Sequence, residues 1–271
     1  MVQCSCGMAH DIGRRGFLGA LMAAAVDAQG AVPVSAGPVD PALIEDLVVA
    51  NHILYDQGVV DGFGHVSVRH DRDPNRYLMS RSMAPALVTA DDILEYDLNS
   101  TPIDQRGRAV YLERFIHSEI YKLRPDVRAI VHSHSPSVIP YANTKVPLRP
   151  MNHIAGFLGG GVPVFEIRDV AGPASNMLIS NAALGHALAI VLGSHAVALM
   201  RGHGSVAAAQ SLRHVVFRAV YAEVNARISS EALRLGEPTF LNDEEAQAAM
   251  KTNDALVDRP WELWRRRAEG K

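Results

Sequence analysis

Cysteine is scarce in this sequence: Cys4 and Cys6 are its only two, and both lie close to the N-terminus. This scarcity excludes a disulfide framework and a cysteine-ligated zinc site as supports of the fold. Any bound metal ion must therefore be held by histidine and carboxylate side chains. Long basic segments are missing as well, and the formal net charge is -3. Because a nucleic-acid-binding protein concentrates positive charge on one surface, we expect no nucleic-acid partner.

A long apolar segment is also missing, which excludes a membrane span. The apolar run Phe17–Val26 is too short, since a spanning helix takes about 20 residues. It follows Arg14 and Arg15 and precedes small residues, which is the layout of an export signal and resembles a twin-arginine signal. A flexible leader of a cytoplasmic protein is the alternative. Residues 1–35 are interpreted as this leader, and the location, cytoplasmic or periplasmic, stays open.

The remainder, residues 36–271, is predicted to form one domain with a sizeable core, because 48% of the chain is hydrophobic and 20% is charged. Helical periodicity begins near Asp40, Val110 and Ser211. The predicted strands are HVSVRHD, RYLMSRS, DILEYDL, VRAIVHSH and GVPVFEI. The segment AIVLGSHAVALMRG permits either a strand throughout or the end of a helix that starts near Ser180, then a strand. Interleaved strands and helices predict an α/β protein.

Two histidines stand one residue apart in IVHSHSP, at the predicted end of a strand. Successive side chains of a strand alternate between its faces, so His132 and His134 point the same way and can reach one ion. Glu113 precedes this strand on the helix directly upstream, and MRGHGS places His203 among glycines at another strand end. Three imidazoles and a carboxylate suffice to bind a divalent cation with one open coordination position.

The strings ERFIHSEIYKLRPDVRAIVHSHSP and MRGHGS resemble the class II aldolase/adducin family, and the similarity extends over about residues 42–240. The resemblance implies an α/β, three-layer fold with a central, mostly antiparallel β-sheet flanked by helices. It implies one divalent ion per subunit, Zn²⁺ or Mn²⁺ with Fe²⁺ or Co²⁺ as alternatives, bound by His132, His134 and His203. Glu113 would be an acid/base beside the ion. The family also implies a homotetramer with active sites at subunit interfaces.

Phosphate recognition, which the sugar-phosphate aldolases of this family require, is not supported by the sequence. A Gly-Asn pair of those enzymes is replaced by Gly64 and His65, a glycine-containing Thr/Ser loop by MSRSMAP, and a serine by Leu112. These replacements remove the hydroxyl and backbone amide groups that hold a phosphate dianion. We therefore expect a substrate without a phosphate.

The replacement residues favour a carboxylate substrate instead. Arg81 offers a planar guanidinium suited to a carboxylate, and His65, Ser80 and Ser82 are further candidate substrate-binding residues beside the apolar Phe63. These segments resemble a branch of the family that decarboxylates hydroxylated aromatic or pyridine dicarboxylic acids. The resemblance implies a metal-dependent carbon–carbon lyase, a decarboxylase of a hydroxylated aromatic or heteroaromatic carboxylic acid.

In that reaction the metal would stabilise the enolate or phenolate left by loss of carbon dioxide. Glu113, if burial raises its pKa, would deliver or relay the replacing proton. His153 lies near the position of a catalytic tyrosine of the aldolases and is a second catalytic candidate; a structural role in its loop is the alternative. His117, one helical turn after Glu113, is interpreted as a supporting or core residue.

Three other functions remain open from the sequence. One is an aldolase that acts on a sugar or hydroxy acid, because the same metal site serves aldol cleavage. Another is iron-dependent oxygen chemistry at a three-histidine site. The third is a non-catalytic, adducin-like interaction module, against which the complete set of metal-binding residues argues.

Overall fold

A computed structural model of the chain describes residues 33–270. The predicted leader lies outside these residues except for its last three positions. In the described part, the strands are β1 (His65–Arg69), β2 (Arg76–Ser80), β3 (Ile93–Asp97), β4 (Ala129–Ser133), β5 (Val164–Phe165), β6 (Val197–Met200) and β7 (Gly204–Ala209). The α-helices there are α1 (Pro41–Asp56), α2 (Phe115–Leu123), α3 (Ile139–Ala142), α4 (Arg168–Ala171), α5 (Ala182–Leu192), α6 (Leu212–Leu235), α7 (Asp243–Asp254) and α8 (Asp258–Ala268).

The described strands form one sheet in the order β3-β2-β1-β4-β7-β6-β5. Every neighbouring pair is antiparallel except β5 and β6, which are parallel. Side chains of α1, α6 and α8 form a core on one face of the sheet, and those of α2 and α5 form a second core on the other. This helix–sheet–helix arrangement confirms the predicted three-layer α/β fold.

Strand β4 lies at the centre of the sheet and is buried along its whole length. Ala129 and Val131 face the first core, whereas Ile130 faces the second. By the same alternation His132 faces the side of the second core, where α2 lies. A strand covered on both faces carries a continuous apolar run, and a histidine within it is therefore conspicuous.

The ambiguous segment AIVLGSHAVALMRG contains the end of helix α5 and then β6, which is the second of the two interpretations. The Asn181 side chain accepts a hydrogen bond from the Leu184 N–H at the start of this helix, and Gly193, with φ of 50°, ends it. The strand predicted over GVPVFEI shortens to β5. No part of the described chain contains a helix with both the length and the apolarity needed to cross a lipid bilayer.

Strand β7 and helices α7 and α8 were not predicted. The sequence of β7, GSVAAA, consists largely of small residues with weak strand preference, so its pairing with β4 and β6 determines its conformation. Helix α7 does carry a local signal, a capping box between Asn242 and Glu245.

Candidate metal centre and active site

The three predicted metal-binding histidines come together at one end of the sheet. His132 is in β4 and His134 lies directly after it, whereas His203 is in the turn between β6 and β7. Antiparallel pairing places Ser133 of β4 opposite Ser205 of β7, so the turn lies beside the end of β4. Gly204 permits this approach, because a Cβ atom there would lie 2.1 Å from the Ser133 carbonyl oxygen.

The ligand atoms form a compact cluster. The Nε2 atom of His134 lies 3.2 Å from Nε2 of His132 and 3.0 Å from Nε2 of His203. The Glu113 Oε2 atom lies 3.6 Å from His132 Nε2 and 3.4 Å from His203 Nε2. All four ligand atoms lie within 4.8 Å of one another.

The chemistry of these donors fits a divalent cation. His132 Nδ1 donates to the Ser205 carbonyl oxygen at 3.1 Å, so in the neutral ring Nε2 carries the lone pair and faces the other imidazoles. A cation between the Nε2 atoms would satisfy lone pairs that otherwise repel one another. Three imidazole nitrogens with one open coordination position are typical of catalytic Zn²⁺, and the Glu113 carboxylate lies beside that position.

Burial sets the protonation of the cluster. Desolvation lowers the pKa of His132 to about 3 and lowers the pKa of His134. Burial alone would raise the pKa of Glu113, but hydrogen bonds from His203 and from the Ile179 N–H, with the nearby His132, lower it to about 2. The pKa of Glu113 thus moves opposite to the raised value considered from the sequence. At neutral pH His132 and His134 are therefore neutral and Glu113 is ionised, which are the forms that bind metals.

Glu113 is positioned by a short 3₁₀ turn, Leu112–Arg114, that precedes α2. It therefore lies just outside the helix in which the sequence placed it. Its Oε1 atom accepts a hydrogen bond from the Ile179 N–H at 2.9 Å, which leaves Oε2 facing the histidines. The carboxylate is thus oriented by the backbone of a segment far away in sequence.

A second, fully buried network fixes His65. Its Nδ1 lies 2.6 Å from His117 Nε2, and His117 Nδ1 lies 2.6 Å from the Ser67 hydroxyl, which in turn lies 2.8 Å from the Tyr121 hydroxyl. The His65 ring centroid is 5.0 Å from that of His132. His117 thus supports a residue beside the metal-binding cluster. Sequence reasoning missed Ser67 and Tyr121, although Ser67 shares a face of β1 with His65.

A cavity of about 270 Å³ opens beside this cluster. Its polar wall includes His65, Glu113, His134 and Ser82. The apolar part of its lining comprises Phe63, Met83, Ala84, Leu112 and Leu178. Because apolar side chains dominate the rest of the surface, the cavity suits a largely apolar molecule with a few polar substituents.

The predicted substrate-binding residues occupy different positions. His65 and Ser82 line the cavity, whereas Ser80 is fully buried with its hydroxyl 3.3 Å from the Tyr111 hydroxyl. Arg81 donates from Nε to Asp92 at 2.6 Å and its side chain is 37% exposed. His153 is exposed at the start of the 3₁₀ segment His153–Leu158 and is not among the residues that line this cavity.

Tyr111 lines the cavity and was not predicted as a site residue. Its hydroxyl donates to the Met83 carbonyl oxygen at 2.6 Å, and its ring centroid lies 4.6 Å from that of His65. Tyr111 therefore joins the loop after β2 to the histidine network. Its place two residues before Glu113 was the available sequence signal.

Comparisons with known proteins agree with this fold. The family described as Class II Aldolase and Adducin N-terminal domain matches residues 45–230. Decarboxylase tropJ of Talaromyces stipitatus is 36% identical over 241 residues, covering 80% of this chain and 91% of the relative. A 3,4-dihydroxyphthalate decarboxylase of Arthrobacter keyseri is 28% identical over 207 residues, covering 71% and 79%. The structure of L-fuculose 1-phosphate aldolase from Glaciozyma antarctica PI12 is similar in fold, with a TM-score of 0.71 at 21% identity over 86% of this chain and 95% of that one.

Proposed function

Because this chain belongs to the class II aldolase/adducin family, we propose that it is a metal-dependent lyase that decarboxylates a hydroxylated aromatic or heteroaromatic carboxylic acid. The observation that carries the proposal is the convergence of three histidines and a glutamate at the wall of a largely apolar cavity. The two relatives named as decarboxylases support the reaction class, and the one named for 3,4-dihydroxyphthalate supports the substrate class.

The residues that would hold the ion are His132, His134 and His203. A divalent cation bound there, Zn²⁺ or Mn²⁺ with Fe²⁺ or Co²⁺ as alternatives, would act as a Lewis acid for the negative charge that loss of carbon dioxide leaves on the substrate. The ion would complete a site whose other side chains are already oriented by buried hydrogen bonds.

Glu113 would move the proton. Since it is ionised at neutral pH, its Oε2 atom accepts the proton of the ring hydroxyl and returns it to the ring carbon that has lost the carboxyl group. The Ile179 N–H holds Oε1 and keeps Oε2 directed at the site. His65, held by His117, would donate or accept a hydrogen bond at a ring substituent.

Substrate selection would rest on the apolar wall and on a few polar groups. The ring would lie between Phe63 and Met83, and Ser82 and His65 would contact its substituents. Asp92 holds Arg81 through Nε, so a substrate carboxylate would bind the terminal nitrogens of the guanidinium. Ser80 would act through Tyr111, whose hydroxyl lies 3.3 Å away.

We infer a homotetramer with active sites at subunit interfaces. Phe63 and Leu112 line the cavity, yet they are 69% and 63% exposed, and exposed apolar side chains at the mouth of a site favour coverage by a second subunit. His153, which is exposed and does not line this cavity, would then contribute as a catalytic residue to the site of a neighbouring subunit.

Carbon dioxide release from a panel of ortho-hydroxy aromatic dicarboxylates tests the proposal, with retro-aldol assays on free and phosphorylated sugars beside it. Metal-reconstituted wild type should release carbon dioxide, and Glu113→Gln should lose about 10²–10⁴-fold in rate. Glu231→Gln, which changes an exposed glutamate of α6, is the matched control and should retain activity. Cleavage of sugars without carbon dioxide release would establish the aldolase alternative.

A further inference from the structure

A second cavity, of about 420 Å³, lies at the end of the sheet opposite the metal-binding cluster. Its lining includes Val127 before β4, Ala196 before β6 and Gln210 after β7, whereas His132 and His203 lie near the other ends of these strands. Val127 and His132 are about 16 Å apart along the strand, at about 3.3 Å per residue. The two cavities are therefore separate sites.

Arg218, on helix α6, brings a positive charge to the wall of this cavity. Its Nη1 donates to the Ala208 carbonyl oxygen at 2.6 Å. Its Nε–H is enclosed and has no hydrogen-bond partner in the described part of the chain, and burial lowers the pKa of the guanidinium. Asp254 and Asp126 offset this effect in part, but among the described residues neither carboxylate forms an ion pair or hydrogen bond with Arg218. A buried cation without a directly bonded anion is unfavourable.

The other charged groups of the cavity wall neutralise one another. Arg124 donates from Nε and Nη2 to the two carboxylate oxygens of Asp126, at 2.8 and 2.7 Å, and from Nη1 to the Gly193 carbonyl oxygen at 2.5 Å. His195 directs Nδ1 to the Leu192 carbonyl oxygen at 3.0 Å. Among the described residues, Arg218 is consequently the arginine of this wall that has no hydrogen-bonded carboxylate, since Asp254 and Asp126 act on it only through longer-range electrostatics.

The rest of the wall determines the kind of anion. Its apolar side chains are Val127, Phe157, Ala196, Ala209 and Met250. An inorganic phosphate would be poorly solvated against such a surface, whereas a carboxylate attached to a small apolar body would satisfy both parts. A planar guanidinium also matches a carboxylate with two parallel hydrogen bonds.

We propose that this cavity is a second ligand site, which binds a small organic carboxylate through Arg218 with the apolar body of the ligand against Phe157 and Met250. Its volume is in the range of small-molecule sites. Because the site is distinct from the metal-binding cluster, it would serve as a regulatory site or as a second, non-catalytic binding site for an acid that resembles the substrate or product.

Calorimetric titration of the full-length, metal-loaded protein with benzoate, and separately with inorganic phosphate, tests this inference. Arg218→Met should weaken the benzoate binding attributed to this cavity by more than about tenfold, because it removes a charged hydrogen-bond donor. Arg227→Met, which changes an exposed arginine of the same helix, should bind benzoate like the wild type. Binding of benzoate at the metal centre can be distinguished from binding in this cavity, because Arg218→Met should leave the affinity of the metal centre unchanged.

A conservative variant keeps the test decisive if Arg218→Met does not fold. Arg218→Lys retains the charge but lacks the planar fork, so it should bind benzoate more weakly than the wild type and more tightly than any folded Arg218→Met protein. Benzoate binding that is insensitive to both changes, or absent from the wild type, overturns the proposal. Phosphate binding that depends on Arg218, without benzoate binding, overturns the assignment to an organic carboxylate.

Discussion

The Gly204→Ala variant tests how closely the metal-binding cluster depends on the contact between two strands. Gly204 begins β7 and packs against the end of β4. A Cβ atom at this position would lie 2.1 Å from the Ser133 carbonyl oxygen and 3.2 Å from His134 Cα, whereas ordinary contacts begin at 3.4 Å. The two backbones must therefore separate by about 1.3 Å to accept one methyl group.

This separation would displace His134 from His203, because His134 directly follows β4 and His203 directly precedes β7, on the two sides of the contact. Metal sites tolerate deviations of about 0.2 Å in their ligand distances, so a shift several times larger removes one ligand. We expect metal affinity to fall by at least about 10–100-fold, as for other changes that misorient ligands. The free energy of unfolding should fall by about 1–3 kcal/mol, the usual cost of overpacking.

Metal content after dialysis at a fixed free Zn²⁺ concentration, with urea unfolding of the metal-free protein, measures both effects. Gly62→Ala is the matched control, because it adds the same methyl group where nothing lies within 4 Å and φ is not positive. It should retain wild-type metal content and stability. A Gly204→Ala protein with full metal content and wild-type stability would refute the reasoning that this close approach aligns the ligands.

Three further predictions concern the same region. Chelation of the metal ion should lower the midpoint of thermal unfolding, because the ion stabilises only the native state. Added Zn²⁺ should raise the midpoint in proportion to the logarithm of its concentration. Equal midpoints with chelator and with Zn²⁺, measured by fluorimetry, would contradict this prediction. Burial lowers the pKa of His117 to about 3, so the unfolded state binds its proton first as the pH falls. The contribution of neutral His117 to the free energy of unfolding is complete above about pH 6.5. It declines toward pH 3 by up to about 1.4 kcal/mol per pH unit. Urea unfolding of the metal-free protein between pH 7 and 5 should show that the free energy of unfolding changes less steeply with pH in His117→Phe than in the wild type. An equal dependence on pH would assign the proton uptake to another group. Tyr111→Phe removes the hydrogen bond to Met83 and should cost about 0.5–1.5 kcal/mol of stability, with a raised KM and a smaller change in kcat; an unchanged KM would separate this loop from substrate binding.

Local sequence patterns predicted much of the fold. Alternation in HVSVR, RYLMS and ILEYD predicted strands that the structure contains as β1, β2 and β3. Asp40, whose side chain accepts a hydrogen bond from the Ala42 N–H, marks the start of α1 as predicted. These features follow from interactions among residues close in sequence, which a periodic pattern records directly.

The alanine-rich strand β7 shows the limit of such patterns. Its residues have weak intrinsic preference for a strand, and hydrogen bonds to β4 and β6 on both sides hold it there. The order of strands in the sheet is likewise a long-range property. The strand order brings His203 beside His134, which is 69 residues away in sequence. The spacing of the two motifs along the chain does not predict this contact.

By itself, the sequence determined which residue types were available for metal chemistry: a His-x-His pair on a buried strand, one upstream glutamate and a glycine-flanked histidine. Only the tertiary structure decided their geometry and charge. The pKa of Glu113 is lowered because hydrogen bonds from distant segments outweigh the effect of burial. Arg81 is held by Asp92, whereas Arg218, at the other end of the sheet, has no hydrogen-bonded carboxylate among the described residues. Each of these outcomes depends on which groups packing brings within a few ångströms, since desolvation and hydrogen bonding act only at that range.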